Sequence, residues 1–339
     1  MNKENYIQLK ESLNYLKAYV PGKSIEDIAN EYSLSPENII KLGSNENPLG
    51  ASPLAHKAVQ NFLSAANSQK HLSFYPDGLS ESLVDAICKH YPEIGAKNGE
   101  ASVVAGNGMD NILEGLARLA LEPGAQALIH TPTFSYYEIV TKWANAEAIF
   151  IETTAENNFE LDIEEYINKL SSKVRLAFLC CPNNPSGNVL SWSQIQKVLE
   201  AAQENNTIVF LDEAYAEYSE VSYLDKVKDW PNLIIGRTFS KLYGLASLRV
   251  GWGVMHKTLI EKYRKVQTPF NVNKLGMLAA AASLTDKEFQ KQSLEVNKQG
   301  LEYLSTELNS LGFKVFPSKA NFLAFLAGPL FDNSAEVLC

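Results

Sequence analysis

Val174-Arg175-Leu176-Ala177-Phe178-Leu179-Cys180, followed by Ser191-Trp192-Ser193-Gln194 and then by Thr207-Ile208-Val209-Phe210-Leu211, is a strand, a helix start and a second strand. The two apolar runs are short and bounded by turn residues, which marks them as strands. Ser191 with Gln194 three residues on is a capping box, and it opens a helix that runs to about residue 205. The same alternation extends in both directions. Strands are expected over 102–105, 125–130, 148–151, 233–237 and 248–255, with helices over 111–120 and 163–170. Strands that alternate with helices argue an α/β fold with a largely parallel sheet. Outside this unit, Ser24 caps a helix to residue 32, a helix covers 56–66, and Ser80 caps another to about residue 90. Helices over 276–284 and 286–311 and strands over 313–316 and 321–326 form a second, smaller layer.

Candidate functional groups collect after the strands' C-terminal ends, where such sheets bind ligands. Asp212-Glu213-Ala214-Tyr215 follows one strand directly. An acid placed after an apolar run is costly without a cationic partner, so Asp212 is a better candidate than a loop aspartate. Cys181-Pro182-Asn183-Asn184-Pro185-Ser186-Gly187 is turn chemistry that also presents two amides. Phe134, Tyr136 and Tyr137 follow a third strand, where aromatics either stack on a flat ligand or pack the core. Gly106-Asn107-Gly108-Met109-Asp110 is a glycine-rich strand-to-helix turn, which offers backbone N–H groups to an anion or merely connects. Lys41 to Gly50 is an irregular loop, and Tyr75 precedes a proline in a turn.

The stretch from Thr238 to Trp252 places Lys241 behind Thr238 and Ser240 with Arg249 eight residues on. A buried lysine near another cation is neutral part of the time and can attack a carbonyl. The hydroxyls and Arg249 are suited to a phosphate. This is the equipment for a Schiff base with pyridoxal phosphate. A strand-end lysine in a solvated loop is the plainer alternative.

Bulk properties exclude several classes. The chain has 339 residues, 45% of them apolar and 20% charged, with a net charge of −9 and no basic run, so a nucleic-acid partner is not expected. The four cysteines, Cys88, Cys180, Cys181 and Cys339, lack metal-ligand spacing, and the five histidines are scattered. Cys180 and Cys181 read as buried thiols, which suits the cytoplasm. The N-terminus is polar, and no run is long and apolar enough for a membrane span.

In order and spacing, Asn45-Glu46-Asn47-Pro48-Leu49-Gly50, Tyr75-Pro76-Asp77-Gly78, Gly106-Asn107-Gly108, Pro132-Thr133-Phe134, Asn183-Asn184-Pro185-Ser186-Gly187, Asp212-Glu213-Ala214-Tyr215 and Ser240-Lys241 with Arg249 resemble the fold-type I pyridoxal-phosphate aminotransferases, and within them the histidinol-phosphate branch. The resemblance runs from about residue 19 to the end. It implies a large domain with a mostly parallel seven-stranded sheet flanked by helices. A smaller α+β domain would follow. The expected division is 1–45 as arm and part of the small domain, 46–272 as the cofactor-binding domain, and 273–339 as an incomplete small domain. By resemblance, Lys241 is the Schiff-base lysine and proton shuttle, and Asp212 pairs with the pyridine N–H. Tyr215 and Asn184 bond the ring's phenolic oxygen, and Phe134 stacks on the ring. Gly108, Met109, Asp110, Ser240, Thr238 and Arg249 hold the phosphate. Tyr75 reaches a partner subunit's phosphate, which implies a homodimer with shared sites.

The activity implied is amino transfer from histidinol phosphate to 2-oxoglutarate, in histidine biosynthesis. Aromatic-amino-acid aminotransferases and threonine-phosphate decarboxylase-like enzymes share the cofactor positions. The chain also departs from the family pattern. Met109 and Asn111 stand where relatives carry Ser and Glu, and Ser247 where glycine is usual. Family members carry a further segment with two arginines, one of which clamps the substrate carboxylate. Here the chain stops at Cys339, just inside what reads as a helix from Ser334. From that follows the competing expectation of a truncated cofactor-binding protein with little turnover.

Overall fold

The computed structural model describes residues 10–16, 22–95 and 99–327. The helix expected from Ser334 lies outside them. Seven strands form one sheet: β1 (Ala101–Asn107), β2 (Gln126–Thr131), β3 (Glu147–Glu152), β4 (Val174–Cys180), β5 (Ile208–Asp212), β6 (Leu233–Thr238) and β7 (Val250–His256). Their spatial order is β1-β7-β6-β5-β4-β2-β3. β3, β2, β4, β5 and β6 run parallel, and β7 is antiparallel to both β6 and β1. The sheet is therefore mostly parallel, as expected.

Both faces of the sheet are covered, which explains why its strands read as continuous apolar runs. Alternate residues serve opposite faces. Ala177, Leu179, Val209, Leu211 and Ile235 pack with helices Glu81–His90, Trp192–Glu204 and Lys274–Ser283. Leu176, Phe178, Phe210 and Ile234 pack with helices Met109–Ala120, Tyr136–Trp143 and Lys257–Arg264. Phe178 and Phe210 are fully buried, a gain of about 1.5–3 kcal/mol each relative to an exposed ring.

Several local expectations hold. Ser24 and Ser191 both close capping boxes. Others are corrected. Ser80 does not cap the helix to His90, because its own φ is +52° and its side chain makes no cap bond. The Asp77 carboxylate takes that place, accepting from Leu79 N at 3.1 Å and Glu81 N at 2.6 Å. The last strand of the sheet starts at Val250, not at residue 248, because Ala246–Leu248 form a 3-10 turn that ends at Arg249 with φ +52°. In the smaller layer, among the described residues, only Lys314–Val315 (β8) and Phe325–Leu326 (β9) pair. They lie beside the 24-residue helix Lys287–Ser310.

Candidate active site

The carboxyl ends of β4, β5 and β6 open into a cleft of about 780 Å³. Ten of the twelve residues proposed from the sequence line it: Met109, Asp110, Phe134, Asn184, Asp212, Tyr215, Thr238, Ser240, Lys241 and Arg249. Gly108 stands just behind Arg249; its φ of +77° favours glycine, and a Cβ there would lie 2.6 Å from the guanidinium and push that side chain aside. Tyr75 is not brought to the cleft. It is 81% exposed and stacks on Phe270, ring centroids 4.7 Å apart.

Asp212 forms the floor. It ends β5, in register with Cys180 of β4, and is 2% exposed. Its Oδ1 accepts from Ala214 N at 2.9 Å, and its Oδ2 from the Tyr137 hydroxyl at 2.5 Å. Among the described residues no lysine or arginine forms an ion pair with it. Burial therefore dominates and pushes its carboxyl up to about 6, against the two hydrogen bonds.

Lys241 stands across the cleft. Its Nζ donates to the Ser44 carbonyl at 3.0 Å and lies 5.5 Å from the Tyr215 ring centre. Loss of water around the amine lowers its proton affinity, and Arg249 adds to this, while Glu46, Asp110 and Asp212 oppose it. The Tyr215 hydroxyl accepts from Asn45 Nδ2 at 3.1 Å, which leaves its own proton free to donate.

The third corner presents groups that could receive an anion. Helix Met109–Ala120 begins there, and no side chain caps its N-terminus, so its first backbone N–H groups are available to a ligand. The helix end fits against β7 because Gly251 has no side chain: a Cβ there would lie 2.4 Å from Met109 N. Arg249 reaches over the turn to Asp110 Oδ2 at 2.9 Å. The Thr238 hydroxyl accepts from Ser240 N at 3.1 Å and so shapes the loop that carries Lys241.

Sequence reasoning missed some residues of the cleft. Ser44, Asn45 and Glu46 come from the irregular loop, and Lys41 pairs with Glu46 at 2.8 Å. The positive φ of Ser44 and Asn45 (+66° and +50°) is what turns the loop over Lys241. Asn183 does not face the ligand. It is buried, donates to Pro132 O at 3.0 Å and accepts from Thr133 Oγ1 at 2.8 Å, tying two loops together. Glu213 likewise turns away, to Arg237: Arg237 Nε and Nη2 donate to it at 2.9 and 2.6 Å, and Nη1 donates to Glu217 at 3.0 Å.

Residues 37–334 match the family described as aminotransferase class I and II. The chain is 42% identical over 324 residues to a histidinol-phosphate aminotransferase of Methanococcoides burtonii, covering 96% of this chain and 85% of that protein. It is 40% identical over 322 residues to one of Methanosarcina barkeri, covering 95% and 83%. Among solved structures it resembles the histidinol-phosphate aminotransferase of Clostridium acetobutylicum, with a TM-score of 0.74 at 27% identity, covering 84% of this chain and 82% of that one. It also resembles that of Sinorhizobium meliloti, solved in complex with pyridoxal-5'-phosphate, with a TM-score of 0.81 at 22% identity, covering 96% and 84%.

Proposed function

The chain belongs to the class I and II aminotransferases, and from that premise we propose that it uses pyridoxal phosphate to transfer the amino group of histidinol phosphate to 2-oxoglutarate in histidine biosynthesis. The observation that carries this reading is the pairing of an amine of lowered basicity with a buried, unpaired carboxylate in one cleft. The named relatives at 40–42% identity support the substrate.

The residues fit the cofactor. Among the described residues no cation pairs with Asp212, and a pyridinium N–H would supply one. The uncapped start of helix Met109–Ala120, together with Arg249, Ser240 and Thr238, suits a phosphate. Lys241 would hold the carbonyl carbon, Phe134 would cover the ring, and Tyr215 and Asn184 would bond its phenolic oxygen. When bound, the cofactor supplies an aldehyde that takes up the amino group and a ring that accepts the electron pair of the broken Cα–H bond.

The protein's own part is acid–base work and orientation. Lys241 Nζ, neutral part of the time, takes the proton from the donor's Cα and returns one. Ionised Asp212 keeps the ring nitrogen protonated. The Tyr215 hydroxyl orients through its free proton, with Asn45 fixing its direction.

The enzyme is a cytoplasmic homodimer in which Tyr75 serves the partner's phosphate site. Its exposure beside Phe74, Leu79 and Phe270, which are also exposed, supports an interface there. The buried thiols of Cys180 and Cys181, neither in a disulfide, support a reducing compartment. Among the described residues no helix is long and apolar enough to cross a membrane. Residues 46–272 act as the cofactor-binding domain and 273–339 as part of the small one.

The test is an absorbance spectrum of the purified protein with pyridoxal phosphate. A visible band is expected, lost on adding histidinol phosphate and restored by 2-oxoglutarate. A band that ignores histidinol phosphate but responds to an aromatic amino acid refutes the substrate. The absence of any band refutes the cofactor.

A further inference from the structure

We propose that Tyr137 is a positioning residue for the cofactor: its phenol donates to Asp212 and fixes that carboxylate, ionised, for the pyridinium nitrogen. The inference rests on the aminotransferase reading and deepens it by assigning a role to a residue that does not line the cleft.

The geometry makes Tyr137 a rigid donor. It sits in the first turn of helix Tyr136–Trp143, is fully buried, and stacks on Phe178 at 4.7 Å with ring planes 12° apart. Phe134 meets its ring edge-on at 5.6 Å. Two faces of the ring are thus fixed by aromatics, and its hydroxyl has one strong acceptor, Asp212 Oδ2 at 2.5 Å. Ala214 N holds the other oxygen at 2.9 Å. One bond to each oxygen sets the plane of the carboxylate and leaves the remaining lone pairs for the cleft.

Charge makes the bond consequential. The titratable groups that act on Asp212 are Tyr137 from its helix, Cys180 from β4, Asp110 from the helix beginning at Met109, Lys241 and Tyr215 across the cleft, and, from the opposite face, its neighbour Glu213. Asp110 and Glu213 disfavour its ionisation, as burial does, whereas the Tyr137 hydrogen bond favours it. Burial also raises the phenol and the Cys180 thiol far above their ordinary range, so both stay protonated and Tyr137 keeps the proton it donates to the carboxylate. Without this donor the carboxylate takes up a proton at a higher pH, and a protonated acid cannot pair with a pyridinium.

The experiment measures the dissociation constant of pyridoxal phosphate by absorbance for wild type, Tyr137→Phe, Asp212→Asn and the double variant, between pH 6 and 8. Tyr137→Phe is expected to weaken binding about tenfold at pH 7.5, the size of one charge-assisted hydrogen bond. The weakening should be larger at pH 6 than at pH 8. In the Asp212→Asn background the same change should alter binding less than twofold, because the group through which Tyr137 acts is gone. A second variant carries 3-fluorotyrosine at position 137, which keeps the ring and strengthens the donor. It should bind at least as tightly as wild type. Equal losses in both backgrounds, or a Tyr137→Phe constant within twofold of wild type, overturn the inference. A loss in the fluorotyrosine protein as large as in Tyr137→Phe overturns it too. If wild type itself binds no pyridoxal phosphate, it is the aminotransferase reading that fails, a different outcome from these.

Discussion

Asp212→Asn should stabilise the cofactor-free protein while disabling it. In the folded state burial raises the Asp212 carboxyl from its ordinary 3.8 to about 6. A gap of about 2 pH units at 1.36 kcal/mol per unit means that ionised Asp212 costs the empty protein about 3 kcal/mol at neutral pH. The sign follows from proton binding. Between 3.8 and about 6 the folded state holds the proton and the unfolded state has lost it. Stability from this group is therefore fully present below 3.8 and is lost as pH rises through about 6. Asparagine carries no charge at any of these values, and its carbonyl can still accept from Tyr137 or Ala214. The variant should therefore melt above wild type at pH 7.5, by a few degrees, and the difference should vanish near pH 4. The assay is thermal unfolding of both cofactor-free proteins from pH 4 to 8. Addition of pyridoxal phosphate should reverse the order, since ligand binding stabilises whichever protein binds it more tightly. Amino transfer by the variant should fall on the order of 10²-fold or more. A variant less stable than wild type at pH 7.5, or a difference that does not change with pH, would refute the view that Asp212 is an unpaired charge awaiting a cation.

Three further perturbations probe neighbouring parts of the site. Lys241→Ala should abolish amino transfer and the visible band with bound pyridoxal phosphate, and full activity in a steady-state assay would sink the assignment. Gly244→Ala should disorder the mouth of the cleft, because φ is +67° there and a Cβ would lie 1.9 Å from the Gly50 carbonyl oxygen. A loss of about 1–3 kcal/mol in urea unfolding together with weaker substrate binding is expected. Arg237→Met should cost about 3–5 kcal/mol, because it strands the buried carboxylate of Glu213 and that of Glu217. The loss should shrink as pH falls and Glu213 takes up its proton, which a pH series of urea midpoints checks.

The parts of the molecule that were legible in the sequence are those written locally. A parallel strand buried on both faces must be a run such as 176–179, and its end must be marked by turn residues, so the positions of Asn184, Asp212 and Lys241 followed from the chain itself. The N-cap at Ser24 and the capping box at Ser191 were legible for the same reason, since a cap is made within four residues. Helices Tyr136–Trp143 and Lys257–Arg264 were harder to read. Ser135 with Glu138 three residues on has the form of a capping box that the structure does not close. Before Lys257 the usual capping residues Ser, Thr, Asp and Asn are missing, and the helix is capped by the His256 ring.

What stayed illegible was the support behind the reacting groups. Tyr137 and Asp212 are 75 residues apart, Asn45 and Tyr215 170. A tyrosine after a strand looks the same whether it packs or donates. Buried polar groups need partners, yet nothing in the sequence says which partner. Glu213 and Asp212 make the point, as adjacent acids at one strand end, both buried. Glu213 points to Arg237, which neutralises it within the protein. Asp212, one residue earlier and so on the opposite face, finds two hydrogen-bond donors and, among the described residues, no counter-charge. The alternation at the strand end thus separates an acid neutralised within the protein from one with no cationic partner among the described residues, and that separation is why Asp212 is the one we propose for the cofactor's ring nitrogen.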